Sequence, residues 1–262
     1  DNKGGGGGVP AMQELHRAPA DGYTIIMSHI GLMAVNPLIY PDSGYDVNKD
    51  FVPVTLLSRV PSLFVVHKDV PAKDFKSFVA YVKSKPGQLN YASAGNASAG
   101  HLAVEALKVA TGMFITHIPY RGTGPALNDV LAGRIEFMSA GTPALLPHIK
   151  SGKLRALGVS SAKRSPAAPE VPAIAEAGLP SLAQFEAGGW FGFFIPSATP
   201  DALQQRIQND IRVVLDEPAT REAIAKTGVD PQPMNRSEFA TFLQRELERW
   251  GPVIRSRNIR PD

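Results

Sequence analysis

Ser98 and His101 are the pair of residues whose types and spacing could support covalent chemistry. They lie in the segment 95–101 (GNASAGH), and a spacing of three puts both side chains on one face of a helix. A serine with a histidine base would indicate a hydrolase. However, Asn96 stands where a nucleophile motif needs its first glycine, and no acidic residue is placed to orient the histidine. The alternative is that Ser98 caps a helix beginning at Ala99.

Three loops rich in small residues offer a second kind of chemistry. They occupy 94–98 (AGNAS), 121–125 (RGTGP) and 140–143 (AGTP), each between a short apolar run and a helical pattern. At the carboxyl edge of a parallel sheet, such loops present helix N-termini with unpaired backbone N–H groups and a positive dipole end. Plain helix initiation explains the loops equally well. Because no catalytic set accompanies them, the sequence indicates a protein that holds a small acid without transforming it.

Composition excludes several other classes of protein. The 262 residues contain no cysteine, which removes disulfides, thiolate metal sites and cysteine nucleophiles. The six histidines show no ligand spacing, so we expect neither a metal nor a cofactor. The formal net charge is only +3 and Lys and Arg are dispersed, so nucleic acid is not an expected partner. Five glycines at 4–8 resemble a phosphate loop in composition alone, since no Lys-Ser/Thr pair follows them, and they predict a turn before a helix.

Strand and helix patterns alternate along the chain, which predicts a parallel α/β fold. Strands near 89–92, 114–118 and 135–138 precede helices at 99–111, at 125–132 and from 143. Asn235 and Glu238 form a capping-box pattern that opens the last helix. Two extended apolar stretches, LFVVHKDVP (63–71) and GGWFGFFIPSATP (188–200), are candidate domain crossings. They predict a discontinuous lobe 1 made of 1–66 and 192–262, and a lobe 2 made of 67–191.

Six groups of segments, in order along the whole chain, carry a resemblance to a known family. The segments are APADGYTIIM (18–27) with AVNPLIY (34–40), DFVPVTLLSRVPSLFVVHKDVP (50–71), PGQLNYASAGNASAGHLAVEAL (86–107), THIPYRGTGPALNDVLAGRIEFM (116–138), PALLPHIKSGKLRALGVSS (143–161) and WFGFFIPSATP (190–200). The chain resembles the periplasmic substrate-binding proteins of tripartite tricarboxylate transporters, the Bug family. The resemblance implies a type II periplasmic-binding-protein fold, in which two α/β lobes joined by a hinge close over a central cleft.

The resemblance also implies the ligand, the partner and the site. The ligand would be a small carboxylate: a di- or tricarboxylate, an amino acid or an aromatic acid. A monomeric periplasmic protein would deliver it to a membrane permease. The implied ligand-binding residues are Ser28, His29, Ser93, Ala94, Gly95, Asn96, Ser98, Gly122, Thr123, Gly124, Ser139, Ala140, Gly141 and Thr142. Two other functions stay open: a serine hydrolase using Ser98 and His101, and a ligand-sensing module for a signalling partner.

Two departures from the family pattern qualify these expectations. The segment 28–33 (SHIGLM) is apolar where the family often carries a polar run, which predicts preference for an aromatic or longer aliphatic acid over citrate. The sequence also begins past the point where family members carry a Gly-Gly loop. Lobe 1 is therefore expected to lack its first strand and helix here, and a signal peptide is not in this sequence.

Overall fold

A computed structural model describes residues 1, 8–40 and 42–260 of the chain. Contacts between Cα atoms divide it into two compact units. Unit 1 comprises Asp1–Arg59, Trp190–Lys226 and Asp230–Asp262, and unit 2 comprises Val60–Gly189 and Thr227–Val229. The divisions at 59/60 and 189/190 lie a few residues before the predicted ones at 66/67 and 191/192. Of the glycine run, 4–7 lie outside the described residues.

Unit 1 holds a four-stranded sheet with strand order β1-β8-β2-β9. Its strands are β1 (Ile26–His29), β2 (Phe51–Val60), β8 (Gly189–Pro196) and β9 (Asp230–Pro231), and its helices are α1 (Val9–Arg17), α2 (Asn36–Ile39), α7 (Asp201–Asp216), α8 (Pro218–Lys226) and α9 (Arg236–Ser256). β1 pairs antiparallel with β8, and β2 pairs antiparallel with β9. The predicted capping box of Asn235 and Glu238 is confirmed at the start of α9.

A segment without a predicted helix turned out to be helical and buried. Residues Gly31–Val35 form a π-helical turn that continues directly into α2 and packs against α9. Leu32 and Met33 are only 5% and 0% exposed. Since these side chains contribute to the core of unit 1, their apolar character reflects packing, and the expected preference for an aromatic or longer aliphatic acid loses its basis.

Unit 2 holds a five-stranded sheet with strand order β5-β4-β6-β3-β7. Its strands are β3 (Ser62–His67), β4 (Asn90–Ser93), β5 (Thr116–Pro119), β6 (Phe137–Gly141) and β7 (Leu154–Val159), and its main helices are α3 (Phe75–Ser84), α4 (Ala99–Thr111), α5 (Thr123–Leu131) and α6 (Thr142–Lys150). β4 pairs parallel with both β5 and β6, whereas β3 pairs antiparallel with β6 and β7.

Helices pack on both faces of the unit 2 sheet. Successive residues of each strand point to opposite faces and so contact different helices. Met138 and Ala140 of β6 lie on the face where α5 and α6 pack, in a fully apolar cluster. Phe137 faces the other way and packs against Phe78 of α3, with ring centroids 4.5 Å apart. Ser139 shares the face of Phe137 by the same alternation. The result is a three-layer α/β unit, as the alternating pattern predicts.

Candidate functional site

Three helices of unit 2 begin at one edge of its sheet. β4, β5 and β6 run parallel, and each leads within five residues into the helix that follows it. Because the carboxyl ends of parallel strands share an edge, the N-termini of α4, α5 and α6 gather there. The sequence prediction that the three loops share one sheet edge is therefore confirmed in unit 2. We call this surface, which consists of residues 94–98, 120–124 and 139–142, the helix-start edge.

The three helix starts differ in how their first amides are satisfied. The Ser98 hydroxyl accepts a hydrogen bond from the backbone N–H of His101 at 3.3 Å, so the predicted cap of α4 is confirmed. α5 begins after Gly122, at φ +113°, and α6 begins after Gly141, and neither helix has a side-chain cap. An uncapped helix start leaves first-turn N–H groups without an intrahelical acceptor. At α6, however, the Thr142 amide donates to the Pro61 carbonyl group and Pro143 has no N–H. The start of α5 is therefore the better suited of these two to an anion.

Ser139 adds a buried hydroxyl group to this edge. Its side-chain oxygen has no hydrogen-bond partner, although the residue is only 1% exposed. α4 approaches β6 at this point so closely that a Cβ on Gly100 would collide with the Ser139 carbonyl group. Because a buried unpaired hydroxyl costs about 1–3 kcal/mol, a polar ligand that reaches Ser139 recovers that energy.

Two predicted residues of unit 2 are engaged by the fold itself. Ser93 Oγ donates to the Gly95 carbonyl at 3.0 Å, accepts the Gly95 N–H at 3.1 Å, and lies 2.7 Å from His117 Nε2. Thr142 donates both its amide and its hydroxyl to the carbonyl of Pro61, at 3.2 and 3.0 Å. These bonds shape the strand-to-helix turns, so both residues act on the edge through its backbone.

The other predicted residues of unit 2 form the loops or the helix starts. Thr123 and Gly124, predicted as loop, are the first two residues of α5, because that helix begins two residues earlier than expected. Ala94, Gly95 and Asn96 lie in the turn between β4 and α4, and Ala140 and Gly141 end β6.

Ser28 and His29 lie in unit 1, on β1. Ser28 is fully buried, and its hydroxyl is 4.0 Å from Met12 Sδ. His29 Nδ1 accepts the backbone N–H of Gly31 at 3.0 Å. Burial lowers the pKa of His29 below 6.5, which keeps the ring neutral and able to accept that bond. Their contact with a ligand stays a prediction.

The geometry around Ser98 and His101 does not form a nucleophile and base. Ser98 Oγ contacts the backbone amide of His101, whereas His101 Nδ1 accepts the backbone N–H of Ala97 at 3.1 Å. An Nδ1 that accepts a hydrogen bond carries no proton, so the ring proton is on Nε2. Ala97 adopts φ +62°, a left-handed conformation that is uncommon outside glycine. Sequence reasoning missed this turn, because an alanine carries no signal for it.

No cation dominates the helix-start edge. Arg121, which is exposed, is the only Lys or Arg in its three segments. Among the described residues, no group of three or more His, Asp or Glu side chains is arranged to hold a metal ion. The groups of this surface that are suited to an anion are therefore mainly backbone amides and hydroxyl groups.

Comparisons with known proteins agree with one another. The family described as "Tripartite tricarboxylate transporter family receptor" matches residues 1–259. BugT of Bordetella pertussis is 34% identical over 255 residues, covering 97% of this chain and 77% of that protein. The structure of R. palustris Rpa4515 with adipate has a TM-score of 0.91 and 33% identity, covering 100% of this chain and 87% of that one. The structure of MatC (Rpa3494) from Rhodopseudomonas palustris with bound malate has a TM-score of 0.82 and 32% identity, covering 95% of this chain and 85% of that one. The predicted two-lobe α/β periplasmic-binding-protein fold is confirmed.

Proposed function

The chain belongs to the tripartite tricarboxylate transporter family of receptors, and from that premise we propose that it binds a linear dicarboxylate through the helix-start edge of unit 2. The family is one of transport receptors, so the hydrolase alternative is wrong and the expectation that the chain is not an enzyme is confirmed. Two relatives hold adipate and malate, both dicarboxylates, which supports the same ligand class here.

The arrangement of three helix starts around one sheet edge is the observation that carries the proposal. A carboxylate at this edge accepts hydrogen bonds from first-turn amides and lies at the positive ends of the α4, α5 and α6 dipoles. A hydrogen bond to a charged group contributes about 1.5–3 kcal/mol, and a favourable helix dipole about 0.3–1 kcal/mol. Two or three such bonds, with the Ser139 hydroxyl, are of the order needed for micromolar affinity.

The proposed role is capture of the acid outside the cytoplasmic membrane and its delivery to a permease. The receptor family is tied to tripartite transporters, and no helix among the described residues has the length and apolar content to cross a membrane. We further propose that the protein works in the periplasm as a monomer. Service as a sensor for a signalling partner is the second role, and a pull-down with the permease subunits separates the two.

Isothermal titration with adipate and malate tests the ligand class. Adipamide, in which neutral amides replace the carboxylates, is the matched control ligand. We expect both acids to bind and adipamide not to bind, because the edge offers donors and positive dipole ends to an anion. Absence of binding by any dicarboxylate contradicts the proposal.

Replacing Ala99 by proline tests the amide mechanism. Ala99 is the first residue of α4, where proline is well tolerated, and the substitution removes one backbone N–H without breaking the helix. We expect Ala99→Pro to weaken dicarboxylate binding about tenfold at unchanged stability, whereas Ala99→Ser, which keeps the amide, binds normally. Arg121→Gln should change affinity only a few-fold. Loss of binding in Arg121→Gln with normal binding in Ala99→Pro would show that a side-chain cation holds the ligand.

A further inference from the structure

The loop between β4 and α4 has a backbone conformation that its sequence does not favour. Ala97 sits at φ +62°, and a non-glycine residue there costs on the order of 1 kcal/mol or more. Gly95, two residues earlier, also has a positive φ of +117°. Such a turn persists only when neighbouring groups hold it.

The side chain of His101 is the group that holds Ala97. From the first turn of α4 its ring reaches back toward the N-terminus, as helical side chains do, and Nδ1 accepts the Ala97 N–H at 3.1 Å. In addition, the Ser98 hydroxyl accepts a hydrogen bond from the backbone N–H of His101. The loop and the helix are thus tied together twice.

The ring itself is fixed in place by its neighbours. His101 stacks on His117 of β5, with centroids 4.1 Å apart and planes 11° apart, and His117 stacks in turn on Tyr91 of β4 at 4.7 Å. His101 is 4% exposed. Glu105 and Lys108, on the same helix, pair with each other at 2.6 Å. Burial outweighs the attraction of Glu105 and lowers the pKa of His101 to about 4, so Nδ1 stays an acceptor at neutral pH.

We propose that His101 is a positioning residue for ligand binding: it keeps the segment 95–98 in the backbone conformation that meets the carboxylate. The inference rests on the proposed function, since it concerns the same edge. It adds that affinity depends on a ring that does not touch the ligand. Without the Nδ1 acceptor, Ala97 relaxes out of the left-handed region, and the amides at the start of α4 lose their arrangement.

Two variants of His101 separate positioning from packing. The Oδ1 atom of His101→Asn occupies nearly the place of Nδ1, whereas the acceptor of His101→Gln lies one bond further out, nearer the place of Nε2. Both replace the ring by a neutral amide and both lose its stacking. We expect His101→Asn to bind adipate within about threefold of wild type, and His101→Gln to bind about tenfold more weakly. Equal losses of adipate affinity in the two variants overturn the proposal, because the loss of ring packing, which both variants share, would then explain them.

Substitution of Ala97 gives an independent readout. Glycine adopts the left-handed conformation without strain, so Ala97→Gly should restore most of the affinity for adipate that is lost in His101→Gln. If Ala97→Gly changes adipate affinity by the same factor in wild type and in His101→Gln, the inference is contradicted. If His101→Gln does not fold on its own, it is measured in the Ala97→Gly background, where the inference predicts an adipate affinity close to that of wild type; an affinity about tenfold weaker there contradicts it.

Amide hydrogen exchange separates this inference from the proposed function, because it needs no ligand. The Ala97 N–H should be protected in wild type and His101→Asn and exchange faster in His101→Gln. If wild type binds no dicarboxylate, the proposed function fails, and this inference fails with it. If wild type binds and His101→Gln binds equally well despite losing Ala97 protection, only the positioning role is overturned.

Discussion

Replacing Gly100 by alanine is expected to push the start of α4 away from β6. A Cβ on Gly100 would lie 2.9 Å from the carbonyl carbon of Ser139 and closer still to its oxygen, whereas ordinary Cβ contacts begin near 3.4 Å. The obstacle is backbone in the middle of a five-stranded sheet, so it cannot rotate away as a side chain would. The helix must therefore retreat by roughly 1 Å, and dispersion contacts along α4 weaken.

The expected cost follows from overpacking. Extra methyl groups in a packed core cost about 1–3 kcal/mol, and contact with backbone puts Gly100→Ala near 3 kcal/mol. For a domain of this size, that loss lowers Tm by roughly 10 °C. Because the same shift moves the α4 amides, adipate affinity should fall at least tenfold at a temperature where the variant is still folded.

Gly124 provides a matched control, since it is the second residue of α5 just as Gly100 is the second residue of α4. Nothing lies within 4 Å of a Cβ at Gly124, so Gly124→Ala should be neutral or stabilising by about 0.4–1 kcal/mol. Thermal unfolding followed by circular dichroism, with titration calorimetry on the same samples, compares the pair. Equal stability of the two alanine variants would refute the close approach of α4 to β6.

Three further predictions concern stability. The Glu246 carboxylate accepts hydrogen bonds from the indole N–H groups of both Trp190 and Trp250, at 3.0 and 3.2 Å. Glu246→Ala leaves both buried donors without an acceptor and should lower the free energy of unfolding in urea by about 2–4 kcal/mol. Glu246→Gln keeps an acceptor, so its free energy of unfolding should fall less. The pKa of His101 is about 4 in the folded protein against 6.5 in the unfolded chain. The buried ring therefore does not affect stability above pH 6.5, but it lowers the free energy of unfolding progressively as pH falls from 6.5 to 4, by about 3 kcal/mol in total. A free energy of unfolding that falls no more steeply with pH in wild type than in His101→Asn would contradict this. Ser98→Ala should cost about 1 kcal/mol by removing the α4 cap, yet leave adipate titration unchanged within a few-fold; complete loss of binding would mean that the hydroxyl itself contacts the ligand.

Local signals in the sequence were sufficient for the starts of α4 and α9. Ser98 before an amphipathic run and Asn235 three residues before Glu238 are cap patterns whose geometry is set by nearby residues alone, and both were confirmed. The order of strands and helices likewise follows from local hydrophobic periodicity. The gathering of 94–98 with 139–142 follows in turn, because parallel strands with helical connections leave few alternatives.

The parts that sequence reasoning missed depend on contacts between distant residues. The π-helical turn at Gly31–Val35 is stabilised by packing against α9, more than 200 positions later, and its run of small and apolar residues has no helix cap. The role of His101 depends on stacking with His117 from another strand. The hydrogen bond from Thr142, the first residue of α6, to Pro61, between β2 and β3, joins residues that are 81 positions apart. No local pattern encodes such pairs.

The shared carboxylate of Glu246 has a practical consequence for spectroscopy. The chain contains two tryptophans, both bonded to that group and both in unit 1. Emission excited at long wavelength therefore follows melting of unit 1 selectively, while unit 2 is optically silent in that channel. A tryptophan substituted for buried Phe185 would place a reporter in unit 2, and comparing the emission of that variant with that of wild type would show in which order the two units lose their structure.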